Sequence, residues 1–248
     1  MKYAIISDIH SNLEAFKSVL EDIDKQKADR IICLGDVIGY ATNPNECCEL
    51  LFERTPIVIK GNHDYAGCDL KEIEYFNIYA QESARWTYNN LSEKNRKILS
   101  SLKDFEIVDN NFLVLHGALT HRNNYIINLN DAEENFAILK RNYPHYKICF
   151  YGHTHSKQIW GPIEGTPATR FTPPIQSFQL LKKDFYLINP GSVGQPRDRD
   201  PRASYLIFDS ETMKITYNLL EYDVETTKRK ILSARLPSYL ANRLDSGV

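Results

Sequence analysis

Five of the seven histidines in this sequence, His10, His63, His116, His153 and His155, fall where a short apolar run gives way to polar residues. Asp8, Asp36 and Asn62 occupy the same kind of position. A lone histidine at a strand end is more often structural than a ligand, because its ring nitrogens readily serve backbone partners. Five placed alike, together with two aspartates, are hard to explain as packing. Imidazole, carboxylate and one amide oxygen, without thiolate, suit Mn²⁺, Fe, Ni²⁺, Co²⁺ or Zn²⁺ rather than Ca²⁺ or Cu(I). The densest stretch is Lys60-Gly61-Asn62-His63-Asp64, directly after the apolar run Pro56-Ile57-Val58-Ile59. Here Asn62 offers a neutral oxygen ligand and His63 a proton donor near neutral pH. Asp64 offers a carboxylate that can orient the His63 ring.

Such residues must be brought together by elements that end at one place. Lys2 to Ser7 is nearly continuous in apolar residues and predicts a buried strand running into Asp8-Ile9-His10-Ser11-Asn12. In an extended segment Asp8 and His10, two apart, face the same side. Asn12 either follows them or opens the next helix, about Leu13 to Lys27, whose Leu13, Phe16, Val19, Leu20 and Ile23 recur at helical spacing. A second strand, Arg30 to Leu34, ends in Gly35-Asp36, and a short helix over Pro44 to Phe52 leads back to a third strand and the Gly61 turn. Strand–helix–strand–helix–strand order implies right-handed crossovers and a parallel sheet. That places Asp8, His10, Asp36 and Asn62 at the carboxyl ends of neighbouring strands, where open α/β sheets bind ligands.

Downstream, Lys71 to Leu102 is helical in pattern, with a second helix capped at Ser92. Strands are predicted at Phe105 to Val108 and Asn111 to Leu115, the latter ending in His116-Gly117. A helix over about Asp131 to Asn142 stops before Pro144. The strand Lys147 to Tyr151 then runs into Gly152-His153-Thr154-His155, again two histidines two apart. Gln158 to Trp160 reads as a strand, Gly161 to Pro174 as loop, and Phe185 to Ile188 as a strand entering Asn189-Pro190-Gly191-Ser192. Ala203 to Phe208 and Lys214 to Leu220 alternate as an antiparallel hairpin. The tail from Thr226 is helical, broken at Pro237, and resumes over Ser238 to Leu244.

The length, 248 residues, suits one domain spanning 1–248 with a helical insertion at about 72–102 and a helical tail at about 226–244. A formal net charge of -2 gives no reason to expect affinity for nucleic acid or anionic membranes. The apolar run Tyr3 to Ile6 is too short for a signal-peptide core, and no run reaches membrane-spanning length. Five cysteines without a Cys-x-x-Cys pair read as reduced thiols, so the expectation is a cytoplasmic protein.

Asp8-x-His10, Gly35-Asp36, Gly61-Asn62-His63-Asp64, His116 and Gly152-His153-Thr154-His155, in this order, resemble the motif set of the calcineurin-like metallophosphoesterases. The resemblance implies an α/β sandwich of two mixed sheets flanked by helices. It also implies two divalent or transition-metal ions: Mn²⁺ or Fe foremost, with Ni²⁺, Co²⁺ or Zn²⁺ as alternatives. Carried over residue by residue, Asp8, His10 and His155 hold one metal, Asn62, His116 and His153 the other, and Asp36 bridges them. His63 stays outside the coordination sphere with Asp64 as its orienter, and both are assigned to catalysis. Asn12 is similar to an asparagine near the phosphate in smaller bacterial members. Two ions about 3.5–4 Å apart lower the pKa of a shared water and clamp phosphoryl oxygens during in-line attack. His63 then stabilises the equatorial oxygens or protonates the leaving alkoxide.

The activity this implies is hydrolysis of phosphate esters, by a phosphodiesterase or a nucleotide or dinucleoside polyphosphate hydrolase. A protein or small-molecule phosphomonoesterase is the alternative, although protein phosphatases of this superfamily typically carry Glu where this chain has Asp64. A non-catalytic scaffold with the same fold is the alternative of another class. The complete ligand set speaks against it, since clustered ligands are costly to bury unmetallated. The expected partner is a small phosphate-ester or nucleotide substrate, with no membrane, no stable nucleic-acid partner, and a homo-oligomer left open. Two further features are balanced between function and bland readings. Arg197, in the charged run Gln195 to Arg202, either forks onto a phosphate or belongs to a solvated, self-paired turn. The aromatic stretch Tyr75 to Tyr88 is either a nucleobase platform or packing.

Overall fold

The computed structural model describes residues 1–163, 166–171 and 177–248. Two sheets form its centre. The first has the order β2–β1–β10–β11–β8, built from β1 (Lys2–Ile6), β2 (Arg30–Cys33), β8 (Ser177–Gln179), β10 (Ala203–Asp209) and β11 (Lys214–Leu220). The second runs β3–β4–β5–β9–β6–β7. Its strands are β3 (Phe105–Val108), β4 (Phe112–Leu115), β5 (Ile148–Phe150), β6 (Lys157–Ile163), β7 (Thr166–Phe171) and β9 (Tyr186–Pro190). Both sheets are mixed: β1 pairs parallel with β2 but antiparallel with β10, and β5 lies parallel between β4 and β9 while β6 is antiparallel to β9.

Alternation along β1 explains the layering. Tyr3 and Ile5 point inward and pack with Phe112, Phe150, Ile188 and Phe208 between the sheets. Ala4 and Ile6 point outward, under α1 (Leu13–Gln26) and α2 (Pro44–Arg54), against Phe16, Val19, Ile23 and Leu51. On the far side α6 (Leu129–Asn142) covers the second sheet through Phe136 and Leu139 on Leu113, Tyr151 and Trp160. A strand buried on both faces reads as a continuous apolar run, which is why Lys2 to Ile6 shows no polar alternation. Removing each fully buried aliphatic or aromatic side chain from water stabilises by roughly 1.5–3 kcal/mol.

The segment after β2 differs from expectation. Pro56 to Ile59 forms isolated parallel bridges, Cys33 to Val58 and Ile59 to Lys103, rather than a full strand. The chain then enters α3 (Asn62–Cys68), so Asn62 opens a helix instead of sitting in a bare turn. A 3₁₀ turn (Leu70–Tyr75), α4 (Ile78–Asn90) and α5 (Glu93–Ser100, capped by the Ser92 side chain) complete the helical insertion. The tail forms α7 (Val224–Ser233) and α8 (Ser238–Asn242). Its Ile231, Leu236, Leu240 and Leu244 pack with Ala80 of α4 and with Tyr40.

The loop expected over Gly161 to Pro174 is corrected in part. β6 continues to Ile163 and pairs with β7, with a register shift between Gly161 and Ile163. Proline argues against a central strand, but β7 is an edge strand and Pro162 lies at the irregularity, beyond the ladder with β9. The remainder of that expectation, 164–165 and 172–174, lies outside the described residues. β8, at Ser177–Gln179, has too little sequence of its own to signal a strand. Among the described residues no helix is long and apolar enough to cross a membrane.

Candidate metal centre

β1 ends at Ile6 and β5 at Phe150, so neither Asp8 and His10 nor His153 and His155 belong to an extended segment. Alternation is not what aligns them. Their backbones lie in the left-handed region instead, with φ of 55° at Asp8, 50° at His10, 52° at Asp36, 68° at His153 and 57° at His155. Non-glycine residues adopt this region uncommonly and at some cost, and they persist there where surrounding bonds over-determine the backbone. Those bonds are present. Asp8 N–H donates to Gly35 O, His10 N–H to Asp36 O and Ser11 N–H to Val37 O, each at 3.0 Å, which locks the loops after β1 and β2 together. Gly152 N–H donates to His116 O at 2.8 Å, joining the loops after β4 and β5. Gly61 completes the arrangement by close approach, since a Cβ there would lie 2.1 Å from Asp36 Oδ1.

Each carboxylate divides its oxygens between scaffold and site. Asp36 Oδ1 accepts the His63 backbone N–H at 2.8 Å, and Asp8 Oδ2 accepts that of His153 at 3.2 Å. Their other oxygens, Asp36 Oδ2 and Asp8 Oδ1, are buried without a hydrogen-bond partner. Imidazoles surround these orphans. His155 Nε2 is 3.4 Å and His10 Nε2 3.8 Å from Asp8 Oδ1; His116 Nε2 is 3.3 Å and His10 Nε2 3.6 Å from Asp36 Oδ2. The remaining ring nitrogens are fixed by backbone carbonyls: His10 Nδ1 by Ile38 O, His116 Nδ1 by Leu34 O, and His155 Nδ1 by Gln195 O at 2.7 Å. His153 spends Nε2 on Asn123 O, which leaves Nδ1 as its lone-pair nitrogen. Carbonyl-held Nδ1–H turns the Nε2 lone pairs inward, the usual way a ligating imidazole is oriented.

This is a poor arrangement for neutral groups alone. His10 Nε2 and His155 Nε2 stand 3.0 Å apart, both with lone pairs facing inward, beside an unpartnered carboxylate oxygen. A cation between them removes the conflict, so the donor set fits a divalent metal. Among the described residues, two groups meet the spacing a metal needs: Asp8, His10, Asp36 and His155, and Asp36, His116 and His153. Asp36 is common to both, and the Asn62 Oδ1 lies 3.1 Å from His116 Nε2 at the edge of the second.

Electrostatics follow from burial. Desolvation lowers His10 and His155 well below the ordinary imidazole range and brings His153 down to about 3. His116 is also desolvated, but the Asp36 carboxylate overrides this and raises it to about 9. Burial opposes the charge on Asp36, yet the neighbouring imidazoles, His116 first, hold it ionised. Asp8 moves the other way, pushed up by burial and by the charge of Asp36. Mostly neutral imidazoles around a carboxylate are the protonation state metal binding requires.

The other residues singled out in the sequence divide. His63 lines the mouth of the centre, its ring packed on Tyr40 at 4.4 Å and on Phe76 at 4.6 Å. Its Nδ1 is buried against Gly39 and has no hydrogen-bond partner. Burial lowers the His63 ring to about 4, with Asp36 partly opposing. Asp64 does not orient that ring. Its Oδ1 accepts from Val37 and Ile38 N–H and its Oδ2 from Gly61 N–H at 2.9 Å, so it braces the loops carrying Asp36 and Asn62.

Asn12 is likewise corrected. Its Oδ1 caps α1 through Ala15 N–H and accepts from Thr227 Oγ1, and its Nδ2 donates to Gly194 O. It is buried behind the ligand loops, outside the lining of the cavity. Asn12→Ala is therefore expected to lower stability by about 0.5–2 kcal/mol, the range for a lost cap. Chemical denaturation should show the loss while KM stays unchanged, and a raised KM with intact stability would return Asn12 to the substrate.

A cavity of about 280 Å³ opens over the centre, lined by Asp36, Asn62, His63, His153 and His155 on one side. Arg197 reaches it from the segment after β9, its backbone N–H held by His155 O at 3.0 Å. Of its neighbours in the charged run, Arg202 pairs with Asp200 within the run, while Asp198 pairs with a buried Lys157 of β6 outside it. Arg197 itself donates from Nη2 to Tyr40 OH and Gln195 Oε1, and its Nε is buried without a partner. Of the aromatic stretch, Trp86 packs on the tail and Tyr79 stacks on Tyr239, whereas Tyr75 lines the cavity at 88% exposure. Sequence reasoning passed over Tyr40 and Tyr125. Tyr40 carried a signal, a bulky residue directly after the second glycine of Gly35-Asp36-Val37-Ile38-Gly39. Tyr125, stacked on His153 at 4.0 Å, sits in a polar loop with none.

Comparison with known proteins adds to this geometry. Residues 1–213 match the calcineurin-like phosphoesterase superfamily domain. The chain is 36% identical to an uncharacterized protein of Methanocaldococcus jannaschii, across 98% of this chain and 97% of that one. It is 26% identical to the phosphodiesterase YfcE of Escherichia coli, covering 87% of this chain and 91% of the relative. The crystal structure of a metallophosphoesterase from Sphaerobacter thermophilus superposes with a TM-score of 0.86 at 35% identity, covering 100% of this chain and 99% of that one.

Proposed function

The chain belongs to the calcineurin-like phosphoesterase superfamily, and on that premise we propose that it is a metal-dependent hydrolase of small phosphate esters. Within that class the reading is a phosphodiesterase or a nucleotide or dinucleoside polyphosphate hydrolase. The observation that carries it is the pair of buried, unpartnered oxygens, Asp8 Oδ1 and Asp36 Oδ2, each facing inward-turned imidazoles. Asp8, His10 and His155 would hold one ion and Asn62, His116 and His153 the other, with Asp36 between them. Bound there, Mn²⁺ or Fe, or else Ni²⁺, Co²⁺ or Zn²⁺, supplies a Lewis acid that lowers the pKa of water and neutralises phosphoryl charge.

The rest falls to the chain itself. Arg197 offers a guanidinium N–H to a phosphate oxygen, and Phe76 and Tyr40 wall the centre off from water beside His63. His63, neutral when the cavity holds no anion, offers an N–H to the ester; the charge of a bound phosphate raises its affinity for a proton, which it can then pass to the leaving oxygen. Tyr75, 88% exposed, and Tyr125, 46% exposed, stand at the opening and give a nucleobase two aromatic faces. The 26% identity to a phosphodiesterase supports the diester reading. The tail, α7 and α8, packs on Tyr40 and α4, which supports one domain over 1–248. Five free thiols, four of them buried, suit a cytoplasmic setting.

The test is a panel of monoesters, diesters, cyclic nucleotides and dinucleoside polyphosphates, assayed with Mn²⁺ and after chelation. Metal-dependent turnover of a diester or of a dinucleoside polyphosphate is expected, and no turnover of any member overturns the reading. Arg197→Ala should raise KM for the best nucleotide by the equivalent of about 1.5–3 kcal/mol, the value of a hydrogen bond to a charged group. A small chromogenic ester should barely notice, because Arg197 is assigned to a phosphate that is not cleaved. Equal losses on both place Arg197 at the reacting phosphate, and no loss on either makes it structural.

A further inference from the structure

Tyr40 is held where a tyrosine is seldom found. Its φ is 54°, in the left-handed region that disfavours a bulky side chain. The loop around it is fixed on both sides: Ala41 N–H donates to His10 O at 3.1 Å, and Gly39 N–H to Ser11 Oγ at 3.1 Å. Strain maintained in this way concentrates at functional sites. The ring is 6% exposed, lies 4.4 Å from His63 and 4.6 Å from His10, and lines the cavity.

Packing accounts for the ring but not for the hydroxyl, since phenylalanine would fill the same space. The hydroxyl oxygen accepts from Arg197 Nη2 at 3.2 Å. Its own proton has no acceptor among the described residues, and the neighbouring Arg197 Nε–H has none either. A buried guanidinium N–H without a partner is unusual, because such groups are nearly always satisfied in folded proteins, and the Tyr40 O–H beside it is free to donate. Tyr40 and Arg197 both line the cavity shared with the metal-ligand cluster, where an oxygen that accepts from two directions would meet them. A phosphate oxygen does this.

We propose that Tyr40 is a substrate-binding residue whose O–H donates, beside the Arg197 guanidinium, to the anionic oxygens of a nucleotide phosphate that is not being cleaved. This rests on the phosphoesterase reading for the identity of the ester, and on the Tyr40 O–H beside the Arg197 guanidinium for the site. Tyr40 thereby links three parts of the cavity: the phosphate, the guanidinium, and the His63 ring it packs against.

The probe is AMP, titrated calorimetrically into the Mn²⁺-loaded protein, with turnover of bis(4-nitrophenyl) phosphate measured separately. Tyr40→Phe keeps the ring and its packing, so its melting temperature should match the wild type. AMP binding should weaken about tenfold or more, the scale of one hydrogen bond to a charged group. A merely structural role, in which the hydroxyl only props Arg197, is separated by repeating Tyr40→Phe in an Arg197→Ala background. Direct contact keeps a loss of similar size there; disappearance of the loss overturns the proposal. Unchanged AMP affinity in Tyr40→Phe, or no AMP binding by the wild type, overturns it as well. Should AMP bind in a Tyr40-dependent manner while no ester is hydrolysed, the phosphoesterase reading fails and the anion site stands.

Discussion

Asp36→Ala is expected to strip both metals from the purified protein and to reduce ester hydrolysis by at least about 10²-fold, the scale of losing one preorganised electrostatic contact. The effect should exceed that of any single histidine, because Asp36 is the residue common to both ligand groups. It also leaves Asp8 as the sole carboxylate among the ligands, so two divalent ions would share one negative charge. A second consequence is local: Asp36 Oδ1 no longer receives the His63 N–H, which ties α3 to the loop after β2. Asp36→Asn separates the two effects, since its amide oxygen can still accept that N–H while the charge is gone. Metal analysis by plasma emission should find both variants depleted if charge dominates. Depletion in Asp36→Ala alone would assign the loss to misplaced backbone, and full occupancy in both would sink the assignment of Asp36 as the bridge.

The candidate metal ligands are legible because their types are expensive to bury for any other purpose. Histidines and aspartates at the ends of apolar runs leave little alternative, and the structure brings all seven, including Asn62, to one place. The path by which they arrive is not legible: period-two alternation pairs Asp8 with His10 and His153 with His155 only if the strands extend that far, and β1 and β5 stop short of them. Left-handed φ at those positions is imposed by hydrogen bonds between loops distant in sequence, such as Asp8 to Gly35, and no local pattern announces it. Asp64 shows the same limit. Beside His63 in sequence, it looks like a partner for the ring, but the helical turn of α3 aims its carboxylate back at Gly61, Val37 and Ile38. Asn12 offered both readings, and the helix cap prevailed because Thr227 and Gly194, far along the chain, use its remaining hydrogen-bonding capacity. The proline-bearing β6–β7 pair was hidden for a different reason: edge position and a register shift tolerate residues that sequence rules exclude from strands.

His63→Ala should retain both metals and still lose roughly 10²–10⁴-fold in rate, as for removal of a general acid. Metal retention follows from geometry, since His63 belongs to neither ligand group and its ring is held by packing between Tyr40, Phe76 and His10. Among the described residues no carboxylate touches that ring, and burial keeps it neutral at pH 7, its pKa lowered to about 4. The proton for the leaving oxygen is then available only once an anionic ester sits in the cavity and offsets the desolvation, which couples proton transfer to substrate binding. An ester with an alkoxide leaving group needs that proton most. Such a substrate should show the full loss, whereas a nitrophenyl ester, whose leaving group departs unprotonated, should recover much of it. Equal losses on the two esters would move His63 from the leaving oxygen to the equatorial phosphoryl oxygens, where the demand for a hydrogen bond does not depend on the leaving group. Undiminished hydrolysis of the alkyl ester would remove His63 from the chemical step altogether, leaving it as a wall of the cavity alongside Phe76.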